Sequence, residues 1–157
     1  MATFYVSAQT GNDSNAGTSA GAAFATLQTG LDAMAAAGDI VYIAPGTYRG
    51  IFDMNSAING SSTKNNKIVG DPDCEQFPGE EKGAVRLSNT DESDINAQTA
   101  TSGTNRYVFY VSKLRTEVHN LHVDGGGNDF SSDSKQRTYT YSYGIAGSSD
   151  GYYNAYN

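Results

Sequence analysis

The sequence predicts an all-β domain with one helix near its start, and three observations carry that expectation. Helical periodicity occurs once, over residues 22–37, and does not return. The rest of the chain holds short β-prone blocks at irregular intervals, separated by Gly, Asn, Asp, Ser and Thr. Eighteen glycines, eleven tyrosines and no tryptophan in 157 residues give a turn-rich, β-rich composition. One helix followed only by strands excludes an alternating βαβ architecture.

Phe4, Tyr5 and Val6 form the first β-prone run, stopped by TGNDSNAGT, where Gly11, Asn12, Asp13 and Gly17 supply turn chemistry. Leu27, Leu31 and Met34 then recur at helical spacing among alanines, which predicts an amphipathic α-helix at about residues 25–37. Thr26 is placed to cap its N-terminus, its hydroxyl accepting from a free amide one turn on, and Gly38 to stop its C-terminus. Gly30 inside the helix costs roughly 1 kcal/mol relative to alanine, so tertiary packing has to hold the segment. Asp32 reads as a residue of the solvated face.

The blocks that follow are DIVYIA (39–44), KIVG (67–70), AVRLS (84–88), RYVFYVS (106–112), EVHNLHVDG (117–125) and YTYSYGIAG (139–147). In the first, Ile40, Tyr42 and Ala44 share one face and Val41 and Ile43 the other, so both faces are apolar. Pro45 has no amide hydrogen and ends the strand, and Gly46 permits a tight corner before Thr47 and Tyr48 resume extension. In EVHNLHVDG, Val118 has the opposite parity to Leu121 and Val123, which implies a corner across His119 and Asn120. Such a corner suits stacked coils, whereas Asn59-Gly60 and the Asp-Gly pairs at 124 and 150 are hairpin signals. On these residues alone, sandwich and solenoid both stay open.

Ten basic against seventeen acidic residues give a formal charge of -7, so binding a phosphate backbone would work against the field and no nucleic acid partner is expected. Cys74 is the one cysteine, which leaves no intrachain disulfide and no cysteine-rich zinc cluster. No apolar run approaches the roughly eighteen residues of a spanning helix, so no membrane insertion is expected. The start, MATFYVSAQTGNDS, has neither a basic n-region nor an apolar h-region, so no secretory signal is expected. Charged residues make up 17% of the chain, below the usual ~25%, and a surface of hydroxyls and amides suits an extracellular or virion setting.

The first fifty residues favour the solenoid. A short strand ending YVS, the GNDSNAGT loop, FATLQTGLDAM as a helix and GDIVYIAPGTY as a first coil together resemble the opening of right-handed parallel β-helix proteins of the pectate-lyase-like superfamily. VHNLHVDGGGN is similar to a later coil. The resemblance implies a parallel β-helix with an N-terminal capping helix: residues 1–38 as strand, loop and cap, residues 39–157 as coils. A cap is needed because a first coil exposes apolar side chains and strand edges. Leu27, Leu31, Met34, Gly38, Ile40, Tyr42, Pro45, Gly46 and Tyr48 are then its structural residues. YNAYN at 153–157 carries no cap, so the coils are expected to continue in a longer chain or to be covered by another one.

The same resemblance implies acidic residues holding calcium on the outer face of one sheet, with a basic residue as proton acceptor. Asp71, Asp73, Asp124 and Asp129, with Arg86, Arg106, Lys113 and Arg115, are the residues at hand, but they form no clear calcium ligand set. No cofactor is therefore expected and no catalytic residue is assigned. GDPDCEQFPGEE (70–81) reads as a protruding loop. Asp91, Glu92 and Asp94 come nearest to the carboxylate pair, about 5 to 9 Å apart, that a glycosidase needs, yet no apolar anchor fixes them. His119 and His122 read as solvent-facing or hydrogen-bonded strand residues, with His122 outward. VDGGGNDF lacks the lysine and helix of a phosphate loop and reads as a turn. Tyr139, Tyr141 and Tyr143 share one strand face and, with Tyr152 and Tyr153, are expected at a subunit interface or on a glycan.

A β-helix opening without a secretory signal, a disulfide or a catalytic constellation resembles phage tailspikes, tail fibres and other virion appendages. The expectation is a virion structural protein, assembled in the host cytoplasm as a homotrimer with other virion proteins and in contact with host surface polysaccharide. The alternatives are a secreted, extracellular polysaccharide lyase or glycoside hydrolase of the same fold, and a bacterial surface adhesin.

Overall fold

The computed structural model describes residues 1–50, 52–88, 108–124, 145–147 and 153–156. It is an all-β arrangement with one short α-helix, and every strand ladder in it is parallel. The strands are β1 (Thr3–Val6), β2 (Ile40–Ile43), β3 (Gly46–Arg49), β4 (Phe52–Asp53), β5 (Asn66–Gly70), β6 (Val85–Ser88), β7 (Phe109–Val111), β8 (Thr116–His119), β9 (His122–Asp124), β10 (Ile145–Gly147) and β11 (Tyr153–Tyr156). They fall into three sheets, ordered β1-β2-β5-β8-β11, β3-β6-β9 and β10-β7-β4. From β2 onward the chain visits the first, second and third sheet in turn and then repeats, so each strand lies beside the strand three places before it. Among the described residues the only antiparallel pairing is an isolated bridge between Ser61 and Lys64, and the Asn59-Gly60 signal belongs to that loop.

Register sets the core. Phe4, Val41, Ile68 and Val118 lie side by side across the first sheet, and Tyr48, Leu87 and Val123 across the second. Phe52 and Phe109 do the same in the third. These residues pack into one apolar interior with Val6, Ile43, Met54 and Val111. At the strand starts, buried polar residues are satisfied by the corners beside them. Asn66 accepts from the Gly38 amide at 2.9 Å and donates to the Ile58 carbonyl at 2.6 Å, and Thr116 donates to the Lys113 carbonyl at 3.0 Å.

The helix α1 covers Leu27–Asp32, shorter than the expected 25–37. Thr26 caps it as expected, accepting from the Thr29 amide, and Asp13 from the preceding loop accepts from the amides of Ala25 and Thr26. Its early end has a physical cause. The amides of Ala35 and Ala36 donate to the buried carboxylate of Asp39, at 3.0 and 2.8 Å, where a longer helix would have turned them to carbonyls four residues back. Gly38 is therefore not the helix stop: it turns the chain into β2 with φ +89. Leu27, Leu31 and Met34 are all buried, with Met34 beyond the helix proper, and α1 packs on β1, β2 and β4. Gly30 is explained by that contact, because a Cβ there would stand 2.4 Å from Val6 Cγ2.

Two corners behave as expected. Pro45 separates β2 from β3, and Gly46 opens β3 at φ +148. Asn120 separates β8 from β9 in the left-handed region at φ 55, a conformation asparagine tolerates better than most residues. Tyr48 ties β3 back to the first strands: buried at 4% exposure, its hydroxyl donates to the Ala44 carbonyl at 3.0 Å and accepts from the Ala8 amide at 3.1 Å. No helix of the described residues is long and apolar enough to cross a membrane.

The 70–81 stretch is a loop with exposed residues, as expected, but it is anchored on the first sheet. Phe77 is 1% exposed and packs with Ala23 and Ala44 against Tyr5 and Tyr42 on the outer side of the first sheet. Asp71 holds the loop's shape, accepting from the amides of Glu75 and Gln76 at 3.0 and 2.6 Å. One buried aromatic ring thus outweighs the proline, glycine and charge signals around it.

Candidate functional site

Alternation along the strands turns a second set of residues outward. On the first sheet, Val41, Ile68 and Val118 point in, so Ile40, Lys67 and Glu117 form one outer column and Tyr42, Val69 and His119 the next. Tyr5 precedes Tyr42 in the second column, their ring centroids 6.0 Å apart, and Tyr5 and Phe77 meet edge to face with centroids 5.7 Å apart. The face passes from apolar and aromatic at β2 to charged at β5 and β8.

The charged part is a connected group. Asn65 donates to one oxygen of Glu117 at 2.6 Å. His119 Nε2 lies 3.2 Å from the other oxygen and Lys67 Nζ 3.6 Å from it. The Asn65 hydrogen bond is the main reason the Glu117 carboxyl sits below its ordinary range; burial opposes this, and His119 and Lys67 reinforce it. The carboxylate is fixed from three sides and stays ionised. Lys67 is 45% exposed, Glu117 22% and His119 28%, so solvent reaches all three. With one carboxylate, this group can hold hydroxyls as donor and acceptor but does not supply the carboxylate pair of glycoside hydrolysis.

The outer column of the second sheet is Thr47, Arg86 and His122; Arg49, Ser88 and Asp124 are in register one position on, with Arg49 exposed and Ser88 buried. His122 is exposed, as its parity predicts. The other sequence candidates scatter. Asp71 is committed to its own loop, Asp73 is exposed on the same loop, and Lys113 and Arg115 lie in the corner before β8, Arg115 at φ 55. Asp91, Glu92, Asp94, Arg106, Asp129, Tyr139, Tyr141, Tyr143 and Tyr152 lie outside the described residues. Tyr153 begins β11, in register with Thr116. Among the described residues no three His, Cys, Asp or Glu side chains gather as metal ligands do. The Cys74 thiol is pushed up by burial and by the negative charge of Asp71, Glu80 and Asp73, which leaves it a poor nucleophile.

Asn65, Lys67 and Glu117 were not candidates in the sequence, because about fifty residues separate the two halves of the group. The signal is present only when NKIVG and TEVHN are aligned position for position, which places Lys67 against Glu117 and Val69 against His119.

Parallel sheets with ionisable side chains on an outer face make this an all-β protein, and solved structures share its arrangement. The chain is similar to a rhamnogalacturonan lyase, with 26% identity and a TM-score of 0.56 over 78% of this chain. It is also similar to the GH136 lacto-N-biosidase from Eubacterium ramulus, with 16% identity and a TM-score of 0.58 over 84% of this chain. The chain spans 28% of the length of the lyase and 22% of the lacto-N-biosidase. No protein-family model and no curated protein matches it. The lyase is a carbohydrate-active enzyme and not a virion protein, so the enzyme alternative has support that the virion expectation lacks, while the lacto-N-biosidase, at 16% identity, shows a likeness of fold.

Proposed function

We propose that this chain is part of a carbohydrate-active protein of the polysaccharide lyase or glycoside hydrolase kind, built as a right-handed parallel β-helix. The observation that carries the reading is the pair of structural neighbours, a lyase and a glycoside hydrolase matched over 78% and 84% of the chain. The β-helix part is supported by the repeated visit to three parallel sheets, with α1 packed at the first circuit. Right-handedness follows from the chirality of parallel crossovers, about 98% of which are right-handed. An extracellular setting goes with such an activity.

The test is incubation of the protein with a polysaccharide panel that includes rhamnogalacturonan and lacto-N-biose-terminated oligosaccharides. Unsaturated sugar ends indicate elimination, and new reducing ends without unsaturation indicate hydrolysis. Folded protein that yields neither product and is not retained on any immobilised glycan of the panel would refute the proposal.

A further inference from the structure

We infer that the outer face of the first sheet is a binding subsite for a neutral glycan, formed by Tyr42, Lys67, Val69, Glu117 and His119 and positioned by Asn65. The inference rests on the carbohydrate-active reading and adds the place and the sugar class. Three features carry it.

The first is the balance of the group. Lys67 contributes three N–H donors and faces one carboxylate, while Glu117 offers about four lone-pair directions. Asn65, His119 and Lys67 engage the carboxylate without exhausting them. A donor beside an acceptor matches two neighbouring sugar hydroxyls, one accepting from Lys67 and the other donating to Glu117. A cation already neutralised by its neighbour, on a chain of formal charge -7, gives an acidic polysaccharide no such welcome.

The second is amphipathy across one step of register. Val69 and the half-buried Tyr42, which the Phe77 cluster covers in part, lie side by side in the column beside Lys67, giving an apolar edge for the C–H face of a sugar ring while its edge hydroxyls reach the charged column. The third is spacing. Neighbouring strands stand about 4.8 Å apart, close to the repeat of a pyranose in an extended glycan, so successive sugars can meet successive strands. Loops flank the patch at both strand ends: one leaves β5 after Gly70 and is anchored by Phe77, the other carries the Ser61–Lys64 bridge just before Asn65.

The test is titration of the protein with neutral gluco- and galacto-oligosaccharides, with oligogalacturonides as the acidic counterpart, at low and high salt. Neutral oligosaccharides are expected to bind with little salt dependence. Lys67→Met and Glu117→Gln should each weaken binding about tenfold or more, as loss of a charge-assisted hydrogen bond does. Lys67 is exposed enough for its substitution to leave the fold intact, which circular dichroism checks. Unchanged affinity in a folded Lys67→Met variant overturns the inference, as does tighter, salt-sensitive binding of oligogalacturonides. Polysaccharide cleavage that persists with unaltered binding in both variants removes the subsite and leaves the wider reading standing. Absence of all glycan binding and all cleavage removes both.

Discussion

Replacing Tyr48 by phenylalanine tests how the first circuit is held together. The ring stays in the core and only the hydroxyl is lost, together with its bond to the Ala44 carbonyl at 3.0 Å and the bond it accepts from the Ala8 amide at 3.1 Å. The Val6 carbonyl, 3.3 Å from the hydroxyl, keeps its partner in the Ala44 amide. Two lost hydrogen bonds at about 1 kcal/mol each predict a destabilisation of about 2 kcal/mol. Ala8 is exposed, so water can replace the hydroxyl on that amide, whereas the Ala44 carbonyl is buried and loses this donor, which makes about 2 kcal/mol the lower end of the expected loss. In urea, with a slope of about 2 kcal/mol per molar for a domain of this size, the midpoint falls by about 1 M. Burial of the phenol also raises its pKa above the ordinary tyrosine value. A raised value means that its stabilising contribution is full below the unfolded value, about 10, and declines as pH rises beyond it. The wild type should therefore lose its advantage over Tyr48→Phe in alkali. A midpoint shift below about 0.3 M, or a gap that widens with rising pH, would refute this reasoning.

Gly70→Ala places a Cβ 2.2 Å from the Asn120 carbonyl oxygen, a backbone atom with nowhere to go, and should cost about 2 to 3 kcal/mol, whereas Gly21→Ala, with nothing within 4 Å, should stay within about 0.5 kcal/mol by the same thermal melts. Phe77→Ala removes the anchor of the 71–83 loop; limited proteolysis should cut there first, and Cys74 should react faster with a thiol reagent than in the wild type. Glu117, whose pKa is lowered in the fold chiefly by Asn65, adds stability that is present above its unfolded value near 4.3 and is lost as pH falls through the lower folded one. Glu117→Gln should flatten that acid limb by less than about 1 kcal/mol, as expected of a partly exposed pair.

The legible parts of the fold were those fixed by neighbours in sequence. Six β-prone blocks coincide with or overlap strands, and the parity break at Asn120 marked a real corner because inward and outward positions must alternate. The helix was legible at its start, where Thr26 needs only Thr29, and not at its end, where the Asp39 side chain takes the amides of Ala35 and Ala36. Phe77 hid in a stretch of turn residues because its pocket comes from Tyr5, Ala23 and Ala44, distant in sequence. The Lys67, Glu117 and His119 group was illegible for the same reason, since only the pairing of β5 with β8 brings it together. Functional class followed from local pattern still less well: the features that suggested a virion appendage are shared by folds whose solved neighbours here are carbohydrate-active enzymes.

Amide hydrogen exchange, followed with and without glycan, tests the central claim most directly, because it asks at once whether the chain recognises carbohydrate and where. Neutral gluco- and galacto-oligosaccharides and rhamnogalacturonan fragments are the probes. The account predicts slowed exchange on addition of the neutral sugars, concentrated at residues 65–70 and 116–119. Exchange rates that stay the same throughout the folded protein with every probe would contradict it.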